Sequence, residues 1–255
     1  MMGGGGTVGS NLALAALAHE LRTPITTILG YGELIGHAGG GADTVRYAEA
    51  LLEAARTLDA TLNAMLDLIQ IERGDLTLAD DDVDIARELL AAARLLHGAG
   101  AARAIRILTE VEGDLPAVLG DARMLRQVFL NLIGNALKYG ASDSSVLLRA
   151  RRMPDGGLAV TVSDRGAGMR TEDIRRAFIP FDRLGRDTTD APQGSGIGLP
   201  LCKAIAELHG GHVVLRSEIG VGTTATLILP PERMRCPANH LQPTFAFDKQ
   251  PELCG

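Results

Sequence analysis

The stretch ALAALAHELRTPITTILGYGELI, residues 13–35, sets the architecture of the amino-terminal part of the chain. Its residues Leu14, Leu17, Leu21, Pro24, Ile28, Tyr31 and Ile35 recur at alternating steps of three and four, the seam of a helix packed along one face. Gly36 to Gly41 interrupt the pattern, and Ala48, Leu51, Ala55, Leu58, Leu62, Met65 and Ile69 then repeat it. Two such helices joined by a short glycine-rich turn predict an antiparallel hairpin. Leu52, Leu66 and Leu68 flank the second seam and widen its apolar stripe, so one hairpin leaves apolar surface uncovered. Pairing of two hairpins into a four-helix bundle is the expected remedy, which predicts a homodimer.

Working outward, residues 1–10 read as a flexible leader, 11–73 as the hairpin and 74–84, with the acidic run Asp80-Asp81-Asp82, as a connection. Residues 85–231 are mixed α/β. Helical patterns lie near Ile85 to Leu96, Arg123 to Tyr139 and Pro200 to His209. Strand patterns lie near Ile105 to Val111, Val146 to Arg151, Leu158 to Ser163, His212 to Ser217 and Thr223 to Leu229. Residues 232–255 have three prolines and no periodicity, and are expected to be a disordered tail.

The 255 residues suit one or two domains. Apolar residues make up 46%, yet no run approaches the ~20 that a spanning helix requires. Direct membrane insertion is therefore not expected, and with no secretory signal pattern at the start the expected location is the cytoplasm. A net charge of -6 has the wrong sign for a protein that wraps nucleic acid. Cys202, Cys236 and Cys254 form no disulfide framework, and Cys236, His240 and Cys254 have poor spacing for zinc. Glycine is abundant, 31 residues, and its clusters mark the candidate sites.

His19 lies on the face of the first helix opposite the seam. Pro24 interrupts that helix at a cost of ~3 kcal/mol or more by clashing with the carbonyl of Glu20. His19, Glu20 and Thr23 therefore share one accessible patch beside a perturbed turn. Farther on, with Asp121 as the N-cap, Asn131, Asn135 and Lys138 align on one helix face. Amide oxygens beside an ammonium suit a hard cation and phosphate. Asp164, at the end of a strand and followed by Gly166 and Gly168, can accept from an exocyclic amine while the glycines admit a flat ligand. Gly194, Gly196 and Gly198 precede a helix start with Pro200 in its first turn, a place where backbone amides meet phosphate. The glycine series matches neither a Walker loop nor a Rossmann fingerprint.

In order, His19-Glu20-Leu21-Arg22-Thr23-Pro24, Asn131-x3-Asn135-Ala136-x-Lys138-Tyr139, Asp164-x-Gly166-x-Gly168, Phe178-x2-Phe181 and Gly194-x-Gly196-x-Gly198 resemble the H, N, G1, F and G2 boxes of two-component sensor histidine kinases. The resemblance spans about Leu12 to Pro230. It implies a dimeric, histidine-bearing four-helix bundle followed by an α/β sandwich ATP-binding domain of the histidine kinase, gyrase and Hsp90 type. By that resemblance His19 is the phosphoacceptor, Glu20 its general base, and Thr23 with that acid serves a phosphatase reaction. Asn135 is the Mg²⁺ ligand. Asn131 and Lys138 meet phosphate, Tyr139 walls the pocket, and Asp164 reads the adenine amino group between Gly166 and Gly168. Gly194, Gly196 and Gly198 form the phosphate-side loop, Arg183 lies near the γ-phosphate, and residues 184–193 form a lid.

ATP and Mg²⁺ are thus the implied cofactors. The implied partner is the receiver domain of a response regulator, docking near Pro24 to Tyr31 and taking the phosphoryl group on an aspartate. Only 18 residues precede His19, too few for the usual sensory module, so either the signal is expected from a separate sensory or regulatory protein or the sequence is a truncated product. Two other readings compete. One is a histidine phosphotransfer adaptor whose ATP-like domain is only a scaffold, and the other is a gyrase- or MutL-like ATPase.

Overall fold

The computed structural model describes residues 6–37, 40–182 and 196–235, with backbone alone for 6–20. The helices α1 (Gly6–His37) and α2 (Ala42–Arg73) form the hairpin, and the rings of Tyr31 and Tyr47 face each other at 5.9 Å near its closed end. Pro24 lies inside α1 and is buried. Residues 6–10, expected in a flexible leader, are helical instead: extension of a formed helix gains a hydrogen bond for each residue fixed. At the far end of α2, Gly74 adopts φ +71°, and the amides of Gly74 and Asp75 donate to the carbonyls of Ile71 and Gln70 at 3.0 Å. That is the left-handed cap glycine permits at little cost.

Burial separates the three leucines that flank the second seam. Leu52 and Leu66 are more than half exposed, but Leu68 is buried with Ala64 in the main core. It was expected to await a second hairpin, and the cover comes from the same chain, where α2 packs on α6 (Gly198–Leu208). An Arg123–Asp67 ion pair at 3.5 Å joins α2 to α4 (Ala122–Tyr139).

The α/β unit contains a five-stranded sheet ordered β2 (Arg106–Val111), β4 (Ser145–Arg152), β5 (Leu158–Ser163), β7 (Gly222–Leu229), β6 (His212–Glu218). Among the described strands of this sheet, β2/β4 is the one parallel pair. Along β4, Val146, Leu148 and Ala150 are buried while Arg149 and Arg151 are exposed, the alternation of a sheet with one covered face. α3 (Ile85–Ala101), α4 and α6 supply that cover, and Phe129, Leu132, Leu201 and Ile205 fill the space beneath. Among the described residues, no helix is long and apolar enough to cross a membrane.

Two expected boundaries require correction. Asp81–Val83, placed in the connection, form β1 and pair antiparallel with β3 (Ala117–Gly120); Met234–Arg235, placed in the tail, form β8 on the other side of β3. In β1 only Val83 points inward, and the aspartates that suggested a solvated linker are the charged face of an edge strand. Arg233 reinforces this corner, donating to Asp80 and to the carbonyl of Leu119. Residues 236–255, with Cys236, His240 and Cys254, lie outside the described residues.

His209 is buried at the C-terminal cap of α6. Its Nδ1 lies 2.8 Å from the Ile205 carbonyl, and Nε2 accepts the Asp121 amide at 3.1 Å. This fixes the neutral Nδ1–H tautomer and ties α6 to the start of α4.

Candidate functional site

Helix α4 begins where Asp121 accepts the Met124 amide at 3.0 Å. Met124, Leu125, Val128, Phe129, Leu132 and Ile133 bury one side of it. The other side presents Asn131, Asn135, Lys138 and Tyr139 to a cavity of about 240 Å³, which Asp164, Gly168, Gly196 and Gly198 also line. Eight residues from three separated motifs are thus brought together, although the sequence disperses them over nearly seventy positions. Gly166 supports the cavity from behind: a Cβ there would stand 2.1 Å from the Tyr139 carbonyl oxygen, and Gly166 forms a β-bridge with Gly140. Arg183, Gly194 and the expected lid lie outside the described residues. Their neighbours Asp182 and Gly196 both line the cavity, and the Phe181 amide donates to the Gly196 carbonyl at 3.2 Å.

Asp164 marks one end of the cavity. Its Oδ1 accepts from the amides of Gly166 at 2.8 Å and Thr223 at 3.3 Å, and no hydrogen bond within the described residues reaches Oδ2. One oxygen is thereby fixed by backbone and the other is available to a ligand donor. Burial raises the Asp164 pKa above its ordinary value near 3.8, while the two backbone amides partly oppose that shift. Gly222, at φ +134°, is needed behind this acid, since a Cβ would lie 2.1 Å from the Asp164 carbonyl oxygen. Around it Val162, Met169, Leu215 and Ala225 supply apolar walls for a flat ring.

At the other end the chemistry turns polar. Asn131 Nδ2 is buried without a hydrogen-bond partner among the described residues. Burial pushes the neighbouring Cys202 thiol up to about 12, and the Asn131 side chain opposes that shift only slightly. An unsatisfied buried amide costs about 1–3 kcal/mol, which a ligand acceptor would recover. Asn135 lines the cavity beside it, and Lys138 holds its ammonium 4.9 Å from the centre of the Tyr139 ring. Opposite them stands the N-terminus of α6, which has no side-chain cap. The first amides of a helix lack intrahelical acceptors and carry the positive end of its dipole, so they favour an anion.

No group of three or more His, Cys, Asp or Glu residues within the described set could cage a metal. The donor set fits Mg²⁺ arriving with a polyphosphate, for which one or two protein oxygens suffice. His19 and Glu20 are on α1, and their side chains lie outside the described residues. Thr23 is exposed on α1, and none of the described α1 side chains, residues 21–37, lines the cavity. Thr223 and Ser217 were not anticipated. The Ser217 hydroxyl accepts the Met169 amide at 2.8 Å and also reaches the Thr223 hydroxyl at 2.8 Å, stitching the loop after Asp164 to β7. The only sequence signal for them was their place at the ends of two strand patterns.

A histidine-bearing helical hairpin followed by an α/β sandwich with this cavity defines an ATPase-type domain joined to a phosphoacceptor module. Residues 10–74 match the "His Kinase A (phospho-acceptor) domain", and residues 120–233 match the "Histidine kinase-, DNA gyrase B-, and HSP90-like ATPase" family. The chain belongs to the sensor histidine kinases. It is 33% identical over 222 residues to an uncharacterized sensor-like histidine kinase of Rhizobium meliloti, covering 85% of this chain and 42% of that protein. It is 34% identical over 220 residues to histidine protein kinase DivJ of Caulobacter vibrioides, covering 85% and 36%. The chain thus spans less than half the length of these relatives. Full-length ShkA, solved in complex with AMPPNP, superposes with a TM-score of 0.64 at 30% identity over 85% of this chain and 45% of that one. The Acinetobacter baumannii histidine kinase AdeS shares the fold, with a TM-score of 0.66 at 22% identity over 83% and 97%.

Proposed function

We propose that the protein is an ATP-dependent protein-histidine kinase that phosphorylates its own His19 and passes the phosphoryl group to an aspartate of a response-regulator receiver domain. The observation that carries this reading is the cavity itself. Among the described residues, an acid with one oxygen unpaired sits among apolar walls at one end, and an unpartnered Asn131 amide, Asn135, a lysine and a helix N-terminus gather at the other. That polarity suits an adenine base joined to a triphosphate. A scaffold-only adaptor has no use for such a site.

Asp164 Oδ2 would accept from the adenine amino group while Oδ1 stays held by backbone. Asn135, with Asn131 beside it, would hold Mg²⁺, which when bound supplies neutralisation of phosphate charge. Lys138 and the first amides of α6 would bind phosphate oxygens, and Gly194, Gly196, Gly198 and Arg183 would complete the phosphate side. Phosphoryl transfer asks the protein chiefly for alignment and charge stabilisation, which these groups provide. His19 would attack through its neutral imidazole. Glu20 would orient it and take its proton. With Thr23, Glu20 would also position water for dephosphorylation of the partner.

The hairpin, over residues 11–73, would act as a homodimer in a four-helix bundle. Leu29, Leu52 and Leu66 are 63%, 51% and 55% exposed in the single chain, and burying them gives the driving force. Input would come from a sensory or regulatory segment or protein, and the working compartment would be the cytoplasm. The test is incubation with γ-labelled ATP and Mg²⁺. Alkali-stable, acid-labile label that disappears in both His19→Gln and Asn135→Ala is the expected result. Label that persists in His19→Gln would refute the assignment of the acceptor.

A further inference from the structure

Arg103 stands outside the cavity, yet its guanidinium gathers the end of the helix that forms one wall of it. Nη1 donates to the carbonyls of Leu137 and, at 2.6 Å, Lys138; Nη2 donates to the carbonyl of Gly140 at 3.3 Å. These are last-turn and cap carbonyls of α4, which have no intrahelical donors, and a cation there also meets the negative end of the helix dipole. Lys138 and Tyr139, whose side chains line the cavity, lie between the carbonyls that Arg103 holds.

The same grip extends to the opposite wall. Gly140 pairs with Gly166, and the Ala141 amide donates to the Arg165 carbonyl at 3.4 Å, so the end of α4 is tied to the loop directly after Asp164. Arg103 is itself held firmly. It sits in a tight turn closed by bonds from the Arg103 and Ile105 amides to the Gly100 carbonyl, at 3.0 and 2.9 Å, and the next residue, Ala104, adopts φ +54°. A non-glycine residue in that region is uncommon and marks a turn fixed by its surroundings. Gly100 leaves no room to relax, since a Cβ there would lie 2.9 Å from the Ile105 carbonyl oxygen.

We propose that Arg103 is a positioning residue for nucleotide: by clamping the α4 terminus it holds Lys138 and Tyr139 in register with Asp164 across the cavity. The inference rests on the reading of the cavity as an ATP site. Arg126 offers an internal control. It also links α4 to α3, through Glu88 at 2.6 Å, but from the half of the helix remote from Lys138. A general loss of α3/α4 packing would follow from either substitution, whereas a loss of pocket register follows only from Arg103.

The experiment is calorimetric titration of the full chain with ATP and Mg²⁺, for wild type, Arg103→Ala, Arg103→Lys and Arg126→Ala, with a thermal melt of each. The expected result is about tenfold weaker binding for Arg103→Ala, or about 1.4 kcal/mol. Arg103→Lys should recover part of it, and Arg126→Ala should bind within twofold of wild type. Amide hydrogen exchange at Tyr139 to Ala141 should quicken in Arg103→Ala with the sheet amides unchanged. Equal affinity in wild type and Arg103→Ala, or equal losses in Arg103→Ala and Arg126→Ala, would overturn the proposal and leave the ATP reading intact. A wild type that does not bind ATP would instead overturn the reading beneath it.

Discussion

The helical hairpin and the nucleotide cavity solve opposite problems. In the hairpin, seam residues such as Leu51, Leu58 and Ile69 are only half-buried, and Leu29, Leu52 and Leu66 stand exposed. In the α/β unit, Val128, Phe129, Leu148, Val160 and Leu201 are fully enclosed, and even the polar Asp164 and His209 have defined partners. One region therefore awaits other surfaces, while the other arranges its own. On the function proposed above, the phosphoacceptor would have to be reached in turn by a nucleotide and by a receiver domain, which requires exposure, whereas a site that neutralises three phosphates would require fixed donors.

The strongest way to break this contrast is Gly168→Ala. At φ +67°, and with a Cβ destined to fall 1.9 Å from the Glu218 carbonyl oxygen, the substitution should cost about 3 kcal/mol or more and abolish ATP binding, read by denaturant melts and calorimetry. A variant as stable as wild type would show that the enclosed region is less determined than described. Next in size, Asp164→Asn should weaken ATP binding about 100-fold, since Asn replaces an acceptor by a donor at the unpaired position.

The same substitution should raise stability at neutral pH. Burial lifts the Asp164 pKa in the folded chain, so the native state binds the proton more tightly than the unfolded one. The wild type then loses stability as pH rises through the interval from the ordinary carboxylate value to the raised one, and the deficit remains above it. Melts of the two proteins should diverge toward neutral pH and converge in acid; an Asn variant less stable at pH 7 would contradict this.

In the hairpin, Leu29→Glu should weaken dimerisation about tenfold, by sedimentation across a dilution series, with the nucleotide affinity unchanged. A wild type that sediments only as monomer would remove the bundle from the account. The smallest effect concerns His209, whose pKa is lowered mainly by burial and further by Arg233, against the hydrogen bond to Ile205. Protons bind the unfolded imidazole first, so stability should fall as pH drops below about 6.5, by at most about 1.4 kcal/mol per pH unit from this group. His209→Gln should flatten that part of the profile, and an unaltered slope would assign it to other groups.

Much of this was legible because it is local. The periodicity of α2, the N-cap at Asp121 and the polar stripe of α4 are written within single turns of helix. The strands of the large sheet were equally plain as runs of six to eight residues rich in apolar and β-branched side chains, with β4 alternating buried and exposed. What escaped depends on distant pairing. β1 and β8 are three and two residues long and exist only because β3 lies between them. Ser217 reaches Met169 across 48 residues, and Arg103 reaches Leu137 across 34. Leu68 misled for a related reason: its place on a helix face is local, but which surface covers that face is decided by the packing of α2 on α6.

The most direct test of the central claim, that this cavity serves His19, is to map phosphorylation by mass spectrometry at neutral to alkaline pH after incubation with ATP and Mg²⁺. Wild type should carry a phosphoryl group on the peptide containing His19, and Asp164→Asn, folded and with His19 intact, should carry none. Phosphorylation at a different residue, or undiminished modification of His19 in the Asp164→Asn chain, would contradict the account.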